Sequence, residues 1–350
     1  MKEEVKVSII IPVYNVKQYI GNCLRSVMRQ TYNGLMECLI IDDCGTDESI
    51  AIAEKMIVEY NDNRNFDTNE NEDGGIRFRI LRHEHNRGLS AARNTGTEHA
   101  TGEYIYYLDS DDEITDDCIE KMLAVALKDP AIEMVQGKYD INGDNIPYPI
   151  ERKDQITQVI TNRDVRYCFY HRQINVCAWN RLIKRSFLFQ HYLSFKEGIL
   201  YEDGLWSFYL MKYISNVYFL SDITYHHRIR PNSIMTGTSK KKEAYHRRIV
   251  CQDIITHLTP GFEAEEYRLH VRGFLYHYCR YVNIEQTFQK VFPLYWKKAW
   301  HLKLYICCLF LVIGYILGKF KYGWVAIWIL IRLKHSKLLI RDIRHRLAVK

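Results

Sequence analysis

No C-x-x-C pair occurs anywhere in the 350 residues, although ten cysteines are scattered from Cys23 to Cys308. That pattern excludes paired-cysteine zinc sites, and the length excludes a small disulfide scaffold. The thiols therefore read as reduced and the compartment as cytosolic. Neither a G-x-G-x-x-G nor a Walker A sequence is present, which argues against dinucleotide and ATP binding. The opening "MKEEVKVSIIIPVYN" has only a short apolar run, broken by Pro12 and followed by no small-residue cleavage site, so it reads as no signal peptide. Acids nearly vanish from one region: Lys290 to Lys350 holds thirteen Lys or Arg and a single acid, Asp342. The net charge of +6 thus divides into +12 on that stretch and −6 on residues 1–289. Nucleic acid would face a basic patch on the folded body, so an acidic body argues against it as a partner. There is no internal repeat and no low-complexity segment.

What is present is a hydrophobic content of 47%, enough for one large α/β domain with an extension, or for two domains. "VSIIIPVYN" (Val7 to Asn15) is a run of β-formers that predicts a buried parallel strand. Val16 to Arg29 then carries Ile20, Leu24, Val27 and Met28 at helical spacing. "ECLIIDDCGTDES" repeats the plan: a strand, a turn at Gly45, and a helix from Asp47, its N-cap, to about Tyr60. The polar stretch Asn61 to Gly75 predicts a solvated loop. "IRFRILRH" is a third strand, "GLSAARNTGTEHA" a helix closed near Gly102, and "YIYYLDSDDEI" a fourth strand. Alternation of this kind predicts a mostly parallel sheet with right-handed crossovers, whose ligands sit beyond the carboxyl ends of the strands. Asn15, the pair Asp42 and Asp43, and the run Asp109 to Asp112 all fall at that edge. A divalent cation carrying phosphate oxygens is the natural neutraliser for such a concentration of carboxylates. From Lys240 onward the chain reads as mainly helical.

Together "VSIIIPVYN", "IIDDCGTDES", "NRGLSAARNTG", "YIYYLDSDDEI" and "YEDGLWSF" resemble the family 2 glycosyltransferases with the GT-A fold, of the bacterial cell-surface polysaccharide type. The resemblance covers residues 5 to 235 and implies a nucleotide-diphosphate sugar donor, often a UDP-sugar, with Mg²⁺ or Mn²⁺. By the match, the D-x-D motif lies on Asp109, Asp111 and Asp112. Asp112 is then the main metal ligand, and Asp111 lies towards the ribose and diphosphate. Asp43 is matched to the nucleobase, with Pro12, Tyr14 and Asn15 around it. A carboxylate suits an imide N–H because it is a charge-assisted acceptor. One of Asp42 and Asp43 could instead cap a helix. Arg87 and Arg93 fit either the diphosphate or surface ion pairs. Glu202 and Asp203 match the acidic pair of inverting members, whose Asp is the general base; two acids opening a helix are also favourable charges there. Trp179 and Asn180 match a segment close to the acceptor, although a Trp is more often a core residue. Arg181 stands where relatives often carry Lys. "RIRPNSIM" resembles a donor-closing loop, with Arg228 or Arg230 on phosphate. Neither Q-x-x-R-W nor several long spans appear, which points to one sugar per encounter and away from a processive synthase.

The division this predicts is a GT-A domain over residues 1–235, a helical extension over 236–289, and a basic, apolar tail over 290–350. "LYICCLFLVIGYILG" (Leu304 to Gly318) is fifteen uncharged residues, about 22 Å as a helix against a hydrocarbon core of roughly 30 Å. "YGWVAIWILI" follows Lys319 and Lys321, and the last stretch places Leu339, Ile343 and Leu347 among basic residues. The expectation is peripheral or monotopic attachment to the cytoplasmic face of the plasma membrane. A tilted span and packing on the enzyme remain the alternatives. The expected acceptor is a glycan or a lipid-linked sugar. The competing readings are a nucleotidyltransferase, which would want a Gly-rich loop after strand one, and an inactive membrane-bound scaffold. Retention of Asp43, Asp112 and Asp203 together argues against the scaffold.

Overall fold

Val7–Val13 forms strand β1, and every one of its residues is buried. A run of β-branched side chains of this kind can hide both faces only in the middle of a sheet. The computed structural model describes residues 6–67, 75–142, 158–170, 174–230, 238–264, 266–267 and 284–302. The chain divides into two compact units, Met1–Thr236 and Gly237–Lys350.

In the first unit β1 is followed by α1 (Ile20–Met28), β2 (Leu35–Asp42), α2 (Ser49–Asp67), β3 (Gly75–Arg82), α3 (Leu89–His99) and β4 (Tyr104–Tyr107). The order β3-β2-β1-β4 is parallel throughout, as the alternation of strands and helices predicts. In the register, Val13 lies opposite Asp42 and Ile10 opposite Tyr107, so the residues after all three strands emerge at one edge. Pro12 is tolerated in this central strand because pairing with β4 stops at Ile10, leaving no ladder bond for the missing N–H to make. Helix α3 is pressed so closely on β1 that a Cβ on Gly96 would collide with Ile10. Helix α2 is longer than its sequence suggested: it runs to Asp67 through part of the stretch expected as loop. Nothing from Asn61 to Asp67 is Gly or Pro, and polar residues on solvated turns do not stop a helix.

The rest of the unit is β5 (Glu113–Ile114), α4 (Cys118–Lys128), β6 (Met134–Asn142), β7 (Gln158–Val159), α5 (Asn162–Tyr170), β8 (Arg181–Lys184), α6 (Arg185–Gln190), α7 (Glu202–Tyr213) and β9 (Val217–Arg228). Strand β8 inserts antiparallel between β4 and β6, and β5 pairs antiparallel with β9. Two apolar layers sandwich the sheet. One is built on Ile9, Ile11, Leu24 and Ile40, the other on Ile10, Leu39, Tyr107 and Trp206. Each fully buried side chain of that size contributes roughly 1.5–3 kcal/mol.

The second unit contains α8 (Lys240–Thr256), whose first turn is capped by the Ser239 hydroxyl, and α9 (Ile284–His301). The Tyr267 hydroxyl donates to the Tyr295 carbonyl at 2.6 Å, and Tyr295 and Ala299 are buried. Among the described residues, no helix is long and apolar enough to cross a membrane. The apolar and basic segments expected from Leu304 to Lys350 lie outside the described residues.

Candidate active site

Backbone strain marks the edge where β1, β2 and β4 end. Asn15, Cys44, Asn180 and Tyr201 all hold positive φ, between 52° and 64°. For residues with a Cβ this region is unfavourable, and such conformations concentrate at functional sites. Asn15 is held by its own turn: its Oδ1 accepts from the Thr46 N–H at 2.8 Å. Tyr14 beside it is exposed, whereas Pro12 is buried within the strand. Asp47 caps α2, accepting from the Ser49 N–H at 3.0 Å, which leaves Asp42 and Asp43 free of that duty. Asp42 accepts from the Cys44 N–H at 3.1 Å.

Asp43 is buried and largely satisfied from within. Its Oδ1 accepts from the Arg87 N–H at 2.8 Å and lies 2.7 Å from His83 Nδ1, while Oδ2 accepts from the Gly88 N–H at 2.8 Å. His83 Nε2 in turn meets the Thr95 hydroxyl at 2.9 Å. Of about four acceptor positions on a carboxylate, one remains for a nucleobase. Gly88, with φ of 87°, makes the turn that aims both N–H groups at Asp43.

The acidic loop after β4 has a partner for every carboxylate. Asp109 accepts from Arg93 Nη2 at 2.8 Å, Asp111 pairs with Arg230, and Glu113 accepts from Arg228 Nη2 at 2.8 Å. Arg228 and Arg230 both lie over the Tyr19 ring, at 5.9 and 5.4 Å. Asp112 is the most enclosed: it accepts from the Tyr225 hydroxyl at 2.6 Å and the Arg228 N–H at 2.7 Å, and meets His227 Nδ1 at 3.0 Å. Burial pushes the Asp112 carboxyl up to about 6, against the hydrogen bond and charge of His227. His227 is itself raised: burial opposes its charge, but Asp112 outweighs it.

Trp179 and Asn180, matched by sequence to the acceptor side, are both buried. The Trp179 ring stacks on Tyr225 at 4.5 Å and His227 at 5.3 Å, the two side chains that hold Asp112. Asn180 ties Tyr106, Thr224 and the Lys138 carbonyl together at 3.2, 2.7 and 2.9 Å. In this structure Trp179 acts as a floor beneath the acidic loop, not as a solvent-facing platform for a sugar.

Arg93 joins that loop to the start of α7. Its Nη1 donates to Glu202 at 2.9 Å and to Asp203 at 2.6 Å, while Nη2 holds Asp109. Arg93 is thus committed to three carboxylates and fully buried, so the alternative of a surface ion pair does not hold for it. Arg87 forms an exposed ion pair with Glu197 at 3.3 Å, and Asn94 grips the Phe195 backbone through both its amide atoms. Burial opposes the charge on Arg93, but Asp203, Asp109 and Glu202 hold its pKa well above the ordinary value. Burial and then the Asp203 charge push Glu202 up to about 7, with Arg93 opposing. Asp203 is also raised by burial, against Arg93, the Ala178 N–H and Arg181. The two acids differ in access: the side chains of Glu202 and Asp203 are 7% and 20% exposed. Asp203 is the more accessible of the two.

Sequence reasoning passed over His83, Thr95, Tyr225, His227 and Tyr19. A signal existed for His227 alone, in "YHHRIRP", but only the pairing of Glu113 with His226 shows that it faces Asp112. Among the described residues, no three His, Cys, Asp or Glu side chains are already spaced as a metal cage.

Residues 8–190 match the family model for glycosyl transferase family 2. EpsH of Bacillus subtilis (strain 168), which carries a glycosyltransferase name, is 32% identical over 240 residues, covering 67% of this chain and 64% of that protein. The glycosyltransferase GlyA of Streptococcus pneumoniae serotype 4 is 30% identical over 244 residues, and the match spans 32% of its length. The chain therefore spans less than two thirds of these relatives. Among solved structures, S. aureus TarS 1–349 in complex with UDP-GlcNAc superposes with a TM-score of 0.60 at 20% identity, covering 84% of this chain and 79% of that one. The mannosyltransferase PcManGT of Pyrobaculum calidifontis, in complex with GDP-Man and Mn²⁺, gives 0.53 at 15% identity, covering 93% and 83%. These two likenesses establish the GT-A-like fold. With more than half its length matched by the family model and its motif residues gathered at one sheet edge, the chain belongs to glycosyl transferase family 2.

Proposed function

We propose that this chain is an inverting glycosyltransferase. It moves one sugar from a nucleotide-diphosphate sugar, a UDP-sugar by preference, to a hydroxyl of a glycan or lipid-linked acceptor in cell-surface polysaccharide synthesis. The observation that carries the reading is the Arg93 bridge, which ties Asp203, the accessible acid, to Asp109 in the acidic loop. A single displacement at an anomeric carbon needs a base on the acceptor side and charge control on the leaving-group side. Here one guanidinium serves both.

Asp203, the more exposed of the two acids, takes the acceptor hydroxyl's proton. Its raised pKa suits that task, because a general base works best when its proton affinity approaches the operating pH. Glu202, more deeply buried on the same guanidinium, keeps the pair rigid. On the donor side, Tyr14 and Asn15 line the exposed edge and the remaining lone pair of Asp43 is available to a base N–H. Arg228 and Arg230, now spread over Tyr19, are within one side chain's reach of the acidic loop and can exchange a carboxylate for a phosphate.

Asp111 and Asp112 would hold a hard cation once it replaced Arg230 on the first and the His227 and Tyr225 contacts on the second, and donor phosphates would complete the coordination. Bound there, Mg²⁺ or Mn²⁺ would supply positive charge to the departing diphosphate. Attachment to the cytoplasmic membrane face through the segment beyond residue 302 rests on its charge and apolar sequence.

The test is Asp203→Asn, which keeps shape and removes useful proton affinity. Donor binding should persist while kcat falls about 10²-fold or more. Unchanged kcat with a raised KM would move Asp203 from catalysis to binding.

A further inference from the structure

Arg181, the first residue of β8, is fully buried, and the reaction as described so far makes no use of it. A guanidinium is costly to bury unless its charge serves something. Its Nη1 donates to the Ser207 hydroxyl at 3.0 Å and its Nη2 to the Asn175 carbonyl. Ser207 donates onward to the Val176 carbonyl at 2.8 Å, so the hydroxyl is fixed at both ends. Ser207 lies four residues after Asp203 on α7, which places it one turn along on the same helix face. Arg181 is therefore locked to the helix that carries the base, on the strand side, while Arg93 holds the same base from α3.

A charge count shows why one arginine is too few. Arg93 alone faces three carboxylates: Asp109, Glu202 and Asp203. Glu202 is already raised to about 7, so near neutrality it gives up part of its charge. Two carboxylates then remain against Arg93, and the second cation needed for balance is Arg181. The groups facing Asp203 are Arg93 from α3, Asp109 after β4, Glu202 on its own helix, Arg181 from β8 and Cys177 before β8; Tyr107 of β4 feels its charge. Of these charged and titratable groups, only the two arginines favour the carboxylate, together with the Ala178 backbone N–H. Arg181 acts on Cys177 as well, opposing the combined push of burial and Asp203 on that thiol.

We propose that Arg181 is a positioning residue for the general base, the second of two buried cations that hold the Asp203 carboxylate ready and aimed at the open edge. The inference rests on Asp203 being that base. It accounts for a fully buried charge in a strand whose other buried side chains are Leu182 and Ile183, and for Ser207 beside the buried Trp206 and Leu210 on α7.

The experiment compares Arg181→Met, Arg181→Lys and Ser207→Ala with the unaltered full chain. It measures kcat from pH 5.5 to 9 with a UDP-sugar, alongside UDP affinity by calorimetry. Loss of the cation disfavours the carboxylate, so in Arg181→Met the acid limb of kcat should move up by about one pH unit. On that limb the rate should drop about tenfold, with UDP affinity unchanged. Arg181→Lys should restore most of the limb's position, and Ser207→Ala should move it in the same direction by less. A drop in kcat that is equal at every pH, with the limb in place, would make Arg181 merely structural. If Arg181→Met fails to fold, Ser207→Ala decides: a stationary limb there overturns the proposal. Asp203→Asn in parallel separates the causes. Full activity there removes the base assignment itself, and the Arg181 role with it. Loss of activity there with unmoved limbs elsewhere rejects Arg181 alone.

Discussion

Replacing Arg93 with Met removes the one cation that touches Asp109, Glu202 and Asp203, and the size of the loss should depend on pH. Three charge-assisted hydrogen bonds disappear, at 2.8, 2.9 and 2.6 Å. Asp109 and Asp203 recover some hydration, their side chains being 24% and 20% exposed, but Glu202 has almost none to recover. Stranding one buried charge costs about 3–5 kcal/mol, so a destabilisation of about 4 kcal/mol is expected at pH 8. At pH 5 the stranded Glu202 takes a proton, and the remaining cost is the lost hydrogen bonding, about 1–2 kcal/mol. The sign follows from linkage. Glu202 is raised from 4.5 to about 7 in the folded chain, and higher still without Arg93. A carboxyl raised by folding contributes stability below its unfolded pKa, and that contribution is lost as pH rises through the folded pKa. The window therefore opens near 4.5 and extends past 7. Urea unfolding of both proteins at pH 5 and pH 8, followed by tryptophan fluorescence, reads the difference directly. Equal losses at the two pH values, or a loss below about 1 kcal/mol at pH 8, would refute the claim that Glu202 depends on Arg93 for its charge.

Two further outcomes are expected. Asp112→Ala should abolish transfer and Mn²⁺-dependent UDP binding while leaving an unfolding transition; near-normal turnover with EDTA present would remove Asp112 from metal binding. Truncation belongs after Leu302, because Tyr295 and Ala299 of α9 are buried in the second unit and an earlier cut would remove them. A chain ending at residue 302 should stop floating with anionic liposomes yet keep UDP affinity, whereas full-length protein that stays unbound at low salt would defeat the membrane reading.

The parallel half of the sheet was readable because β1, β2 and β4 bury both faces, and such strands announce themselves without reference to a partner. The acids at their ends were readable for the same reason: a strand boundary fixes an edge. What the acids meet was not. Arg93 finds Glu202 and Asp203 more than a hundred positions away, and nothing near "SAARN" records whether its cation faces phosphate or protein. By composition Trp179 leans only slightly towards a core stack over a solvent platform, and Tyr225 and His227 arriving on β9 decide. Cys44 and Tyr201 adopt left-handed backbone with side chains that give no hint of it, unlike Asn15 and Asn180. The insertion of β8 between β4 and β6 is likewise a long-range pairing, written in no local pattern.

Gly96 touches no charged group of the site, yet it governs one. It lies three residues after Arg93 on α3, where a Cβ would strike Ile10. Adding a methyl would lift the helix from β1 and carry the guanidinium away from carboxylates it meets at 2.6 to 2.9 Å. Hydrogen bonds tolerate little of such displacement, so alanine at position 96 would behave in a mutational scan like damage to the reacting groups. Inheritance of this enzyme's chemistry therefore depends on a residue with no side chain, and a library built to alter its sugar preference should hold that position fixed.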